Sequence, residues 1–205
     1  MITGEAARLG EQAAHDLSRS DRCRIGPGLS KTELSRIEEE YGFEFADDHR
    51  AFLAAGLPLN TPIPKEDGVI HTHTLPWPDW RDGDPEELRE RLSRPSQGVL
   101  FDVEHNRYWH ESWGARPDDQ AETSTAAERH LQTAPRMIPV FGHRYLPGGR
   151  ATFGHPVLSM WQTDIICYGN DLVDYIRHEF GGPDADLATP GRPPQVTVPF
   201  WRDFV

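Results

Sequence analysis

The chain has little cysteine, a deficit of cationic charge and no long apolar run, and each shortage closes off a class of function. Its two cysteines, Cys23 and Cys167, have no neighbour at a metal-ligand spacing and are read as free thiols. Lys plus Arg number 21 against 33 Asp plus Glu, for a net charge of −12. That balance repels nucleic acid and anionic membrane surfaces and favours a basic partner. No stretch approaches the roughly 20 apolar residues that cross a bilayer, and "MITGEAARLGEQAAHDLSRS" has neither the basic stretch nor the apolar block of a secretory signal. A cytoplasmic protein is the expectation. Also missing are a G-x-S-x-G elbow, a P-loop and a G-x-G-x-x-G turn, so phosphate-cradling chemistry has no sequence support.

What is present suits one folded core. A chain of 205 residues is long enough for one substantial core and short for two. Ala6, Leu9, Ala13 and Leu17 make one apolar stripe on a helix that begins after Thr3. "SKTELSRIEEEYG" carries a capping box in Ser30 and Glu33, an inward face in Leu34, Ile37 and Tyr41, and a stop at Gly42. A short helix spans Asp47 to Ala55 with Phe52 and Leu53 inward. From Pro58 to Pro85 the chain reads as a long structured loop in which only "GVIHTH" looks like a strand. Asp84 caps a helix that starts at Pro85 and is expected to end near Leu92.

"GVLFDV" (Gly98 to Val103) and "MIPVF" (Met137 to Phe141) read as strands, with a helix near Ala126 to Leu131 between them. "HRYLP", "PVLSMWQ" and "DIICYG" are three further strands, and "NDLVDYIRHEF" is a helix capped by Asn170. Helices first and strands later predict an α+β domain: a mixed, mostly antiparallel sheet with helices packed around it. The expected organisation is an N-terminal helix and lead-in (1–27), a main domain (28–180), and a Pro/Gly-rich linker with a C-terminal arm (181–205). The apolar "VPFWRDFV" is expected to dock on the domain or on a second copy.

"GLSKTELSRIEEEYGFEFADDHRAFL" resembles the opening of the SUKH superfamily, with its G-x-x-F-x-x-D-x-R-x-F-L step at Gly42, Phe45, Asp48, Arg50, Phe52 and Leu53. "FDVEHNRYWHESWGARP", "PVFGHRYLP" and "GHPVLSMWQTDIICYGNDLVDYIRHEF" are similar to an actinobacterial branch of that superfamily, and "PFWRDF" to the way many members end. The resemblance covers residues 28 to 204 with gaps, and the loops at 58–76 and 115–130 lie outside it. It implies a single α+β domain that acts by binding: members of polymorphic-toxin systems neutralise cognate toxins by direct contact. It implies no catalytic set and no cofactor. The partner would be a protein, a basic toxin or toxin domain, met by a monomer or homodimer; nucleic acid and membrane are not expected partners.

Two other readings stay open. A small metal-dependent hydrolase would use a histidine-rich face together with Asp164, beginning with His71 and His73 in an H-x-H pair and drawing on His105, His110, His143 or His155, although a metal needs three or four convergent ligands. A regulatory adaptor would self-associate through "PFWRDF". Cys167, between Ile166 and Tyr168, reads as an inert thiol. The residues singled out as a partner-binding or structural polar cluster are Trp77, Asp79, Trp80, Asp102, Glu104, His105, Trp109, His143, Arg144, Tyr145 and Asp164. For Trp109 and Trp113, packing under their own loop is the preferred role. For Asp164, in "QTD", either Thr163-Asp164 is a turn between two strands in which the aspartate bonds its own backbone, or the segment is one strand; the preferred role is a partly buried carboxylate paired with Arg144 or His143, and a general acid or base working with His143 and Tyr145 is a further reading.

Overall fold

The first helix, α1 (Gly4–Ser18), starts where the Thr3 hydroxyl accepts from the Ala6 amide at 3.3 Å. This computed structural model describes residues 3–20, 22–60, 77–181 and 196–205. The buried stripe of α1 is Ala6, Gly10, Ala13, Ala14 and Leu17, small enough for close approach to a neighbouring helix. A short strand β1 (Arg24–Gly26) leads to α2 (Lys31–Tyr41), which opens on the expected capping box and closes on Gly42 at φ 64. Next comes α3 (Asp47–Ala55), then β2 (Leu57–Leu59), which pairs antiparallel with β1 inside what the sequence presented as loop. Glu38 is buried on α2 because Arg50 of α3 and Arg150 both reach its carboxylate, and its other oxygen accepts from the Phe45 amide.

The helix capped by Asp84 does not end near Leu92. It runs without a break as α4 (Pro85–His105), so "GVLFDV" is helical and not a strand. Leu88, Leu92, Val99 and Val103 are buried at helical spacing, and this long face outweighs the β-branched valines and a proline within. Pro95 has no N–H to give the Arg91 carbonyl four residues back. The Tyr145 hydroxyl donates to that carbonyl instead, at 3.2 Å. A 3-10 turn (Glu111–Trp113) precedes α5 (Gln120–Leu131), which starts earlier than expected because Asp119 caps it through the Glu122 amide. "GVIHTH" lies outside the described residues.

Strands β3 (Met137–Phe141), β4 (Arg144–Pro147), β5 (Val157–Trp161) and β6 (Asp164–Gly169) form a sheet in sequence order. Every pairing among the described residues is antiparallel, so the α+β class holds while the mixed component has no counterpart there. Tyr145, Leu158, Met160 and Ile165 pack on one face with α4, α5 and the C-terminal residues. Ile138, Val140, Leu146 and Val157 face the other way, into the core shared with α1, α2 and α3. The last helix, α6 (Leu172–Phe180), is capped by Asp171, not Asn170; Asn170 instead donates its backbone and side-chain amides to Asp174. The C-terminal segment docks on its own chain: Val198 and Trp201 are buried, and the Trp201 indole donates to the Pro135 carbonyl at 2.8 Å. No helix among the described residues is long and apolar enough to cross a membrane.

Candidate functional site

The question posed by "QTD" resolves into a hairpin. Trp161 pairs with Asp164 across a two-residue turn, with Gln162 at φ 54, the left-handed conformation that such a turn needs at its first central residue. Asp164 is exposed at the first position of β6, with no hydrogen bond or ion pair to its carboxylate among the described residues. The expected pairing with Arg144 or His143 is therefore wrong; a turn is present, but at Gln162–Thr163, one residue before the Thr163-Asp164 alternative, and without the expected bond from the aspartate to its own backbone. The carboxylate that secures this turn is Asp102 of α4, which accepts from the Thr163 amide at 3.0 Å and its hydroxyl at 2.6 Å. Burial works to raise the Asp102 pKa, but bonds from Thr163 and Asn106 overcome it and hold the carboxyl below its ordinary range. Its role is to fasten α4 to the hairpin.

Several other candidates prove to be core. Trp77 stacks on Phe180 with ring centres 5.3 Å apart, and Trp80 packs edge-on to Phe45 at 5.4 Å; they are 4% and 2% exposed. "PWPDW" is therefore no aromatic anchor for a partner, and Asp79 closes its turn by accepting from the Arg81 and Asp82 amides. Tyr145 is likewise buried, bonded to Arg91, with its phenol pushed up to about 12 by burial. Trp109 packs against Trp113 and donates to the Gly114 carbonyl, the packing role preferred for both. Glu104 and His105 lie exposed on the last turn of α4, where the His105 ring stacks on Phe101. They are not brought to the sheet.

What the strands do bring together is an open patch on one half of the sheet. Arg144 pairs with Ser159, and Ser159 with Ile166, so these three lie in a row across β4, β5 and β6 on one face. Trp161 and Asp164 form the next row of that face. Trp161 is 56% exposed and Ile166 50%, and they are diagonal neighbours on adjacent strands. His143 sits edge-on to Trp161 at 6.0 Å. The Arg144 guanidinium donates to Ser159 Oγ at 2.9 Å and lies 3.7 Å over the Tyr168 ring. Burial, then the nearby Arg144 charge, pushes the His143 pKa down. Of the sequence candidates, His143, Arg144 and Asp164 thus border one surface.

The reading of the sequence missed the apolar centre of this surface, Trp161 and Ile166. Their signal was available: once the turn is placed at Gln162–Thr163, strand alternation puts both on one face. It also missed the polar groups beside it on α6. Among the described residues, the Tyr175 hydroxyl and one Glu179 carboxylate oxygen are buried without a hydrogen-bond partner, as is Arg144 Nε. Burial, then the Glu179 charge, raises the Tyr175 phenol well above its usual value.

For the metal reading, His71 and His73 lie outside the described residues, and among those described no three His, Cys, Asp or Glu side chains gather to hold an ion. Cys23 and Cys167 are half-buried thiols pushed up by burial, with little thiolate at neutral pH. The "PFWRDF" segment proposed for self-association is packed within the chain, with Trp201 1% exposed and the Asp203 carbonyl 2.8 Å from His110 Nε2. Compared with protein-family models, with curated proteins and with solved structures, the chain matches none.

Proposed function

We propose that the chain is a non-catalytic, immunity-type binding protein that neutralises a basic toxin or toxin domain by covering it with the open half of its sheet. The observation that carries this reading is the diagonal juxtaposition of Trp161 and Ile166, two large apolar side chains half exposed on adjacent strands and bordered by His143, Arg144 and Asp164. An apolar centre with a polar rim is the ordinary composition of a protein-binding surface. A net charge of −12 supplies long-range attraction for a cationic partner. The resemblance of residues 28–204 to SUKH immunity proteins supports the same class of action.

The test is co-purification and binding kinetics with basic toxin domains encoded beside this gene. Trp161→Ala with Ile166→Asp weakens binding by about a hundredfold or more, through faster dissociation, while thermal stability stays near that of the parent. The parent's association rate falls steeply as salt rises from low to physiological strength. Binding by the double variant at parental affinity would sink the assignment to this face. A flat salt response would remove the electrostatic part.

A further inference from the structure

A second site lies elsewhere, and its evidence is independent of the sheet surface. A cavity of about 590 Å³ opens between α2, α3 and the turn at Arg150 and Ala151, within the size range of small-ligand pockets. One face of α2 supplies Lys31, Leu34 and Ser35; one face of α3 supplies Asp47, Arg50 and Ala54. The turn is preformed. The Asp47 amide donates to the Thr152 carbonyl, the Gly149 amide to the Glu44 carbonyl, and the Thr152 hydroxyl to the Gly149 carbonyl. These bonds hold Ala151 on the cavity wall at φ 58, a conformation disfavoured for alanine.

The charges on this wall are of two kinds. Arg50 and Arg150 are committed to Glu38, with Arg150 also 3.6 Å from Glu44. Asp47 and Lys31 are not committed: neither side chain has a hydrogen bond or ion pair among the described residues, to each other or to anything else. Asp47 is only 3% exposed, so its carboxylate meets little but the cavity. A carboxylate on a cavity wall without a partner attracts a cation, yet a plain cation would meet three positive side chains here. A plain anion would meet Asp47.

A molecule carrying both signs suits both. We infer that this cavity binds a small zwitterion of the α-amino-acid type with an apolar side chain. Its ammonium lies against Asp47, its carboxylate faces Lys31 at the mouth, and its side chain rests on Leu34, a wall residue buried to 2% exposure.

Titration calorimetry on the full chain tests this with L-leucine and leucyl-leucine, beside 4-methylpentanoate, which lacks the ammonium, and isoamylamine, which lacks the carboxylate. The expected result is saturable binding of one zwitterion, with both singly charged analogues weaker by about tenfold or more. Asp47→Asn and Lys31→Gln each weaken the zwitterion by about as much, and Asp47→Asn erases the preference over 4-methylpentanoate. Lys31 is exposed, so its variant keeps the test open should Asp47→Asn disturb α3. No heat from either zwitterion at millimolar concentration would overturn the inference, as would equal binding of a singly charged analogue.

Discussion

Tyr145 and Tyr175 are both buried phenols, yet their hydroxyls stand in opposite situations. The Tyr145 hydroxyl supplies the donor that Pro95 withholds from the Arg91 carbonyl. Removing it in Tyr145→Phe leaves a buried carbonyl under-satisfied, for an expected loss of about 1–3 kcal/mol in urea unfolding. The Tyr175 hydroxyl is buried without a partner among the described residues, so Tyr175→Phe deletes a desolvated polar group and leaves its ring in place. That change is expected to be neutral or to stabilise by about 1 kcal/mol, a rise of roughly 2–4 °C in Tm. Equal losses in the two variants would mean that the Tyr175 hydroxyl finds a partner in solution. The pair also bears on pH: both phenols have folded pKa values raised by burial, Tyr145 to about 12. Above pH 10 the unfolded chain therefore loses protons that the folded chain keeps. Stability present below pH 10 falls toward pH 12, and Tyr145→Phe reduces the slope by about 1.4 kcal/mol per pH unit.

The elements differ in how much of them local sequence decides. The helix α2 was legible in full, since its capping box, apolar face and left-handed glycine lie within 13 consecutive residues, Ser30 to Gly42. The helix α4 was not, because "GVLFDV" in isolation matches a buried strand; only continuity of the Leu88–Leu92–Val99–Val103 face reveals the helix. The candidate surface was half legible for a similar reason. His143, Arg144 and Asp164 were singled out as polar residues near strands, but which half of the sheet stays open depends on where α1, α2, α3 and α6 pack, and no local pattern encodes that. Packing also decides the sign of a change on α1. By helix propensity alone Gly10→Ala would gain about 1 kcal/mol. A Cβ at Gly10, however, would sit 2.3 Å from the Asp48 carbonyl oxygen and 2.5 Å from the Phe52 amide nitrogen, both backbone atoms of α3. Gly10→Ala is therefore expected to destabilise by about 1–3 kcal/mol, whereas Gly4→Ala, which meets no atom within 4 Å, does not. Thermal melts of the two variants separate packing from propensity.

For the whole molecule, acid is the condition that sets the sheet surface and the core against each other. Lowering pH toward the sequence pI of about 5.2 removes the net negative charge that would steer a basic partner. Over the same range His49 acts on folding. It is fully buried between Phe45 and Phe52 with an unpartnered Nδ1, and burial depresses its pKa from 6.5 to about 3. Because the folded value lies below the unfolded one, the unfolded chain binds the extra proton first as pH falls below 6.5. Stability is then lost at about 1.4 kcal/mol per pH unit until the folded value is reached. Asp48 works the other way: burial raises its pKa above the ordinary carboxylate value of 3.8, so the folded chain takes that proton first and gains stability as it does. The carboxylate of Glu33, held down to about 2 by Arg81 and Ser30, adds a loss only below its unfolded value of 4.5. Among the histidines whose pKa values burial lowers, His49 carries the largest depression. Urea unfolding between pH 6.5 and 4.5 is expected to show falling stability in the parent and a shallower fall in His49→Phe, the remainder belonging to His143 and His155, whose pKa values burial also lowers; equal slopes in both would place the acid sensitivity outside His49.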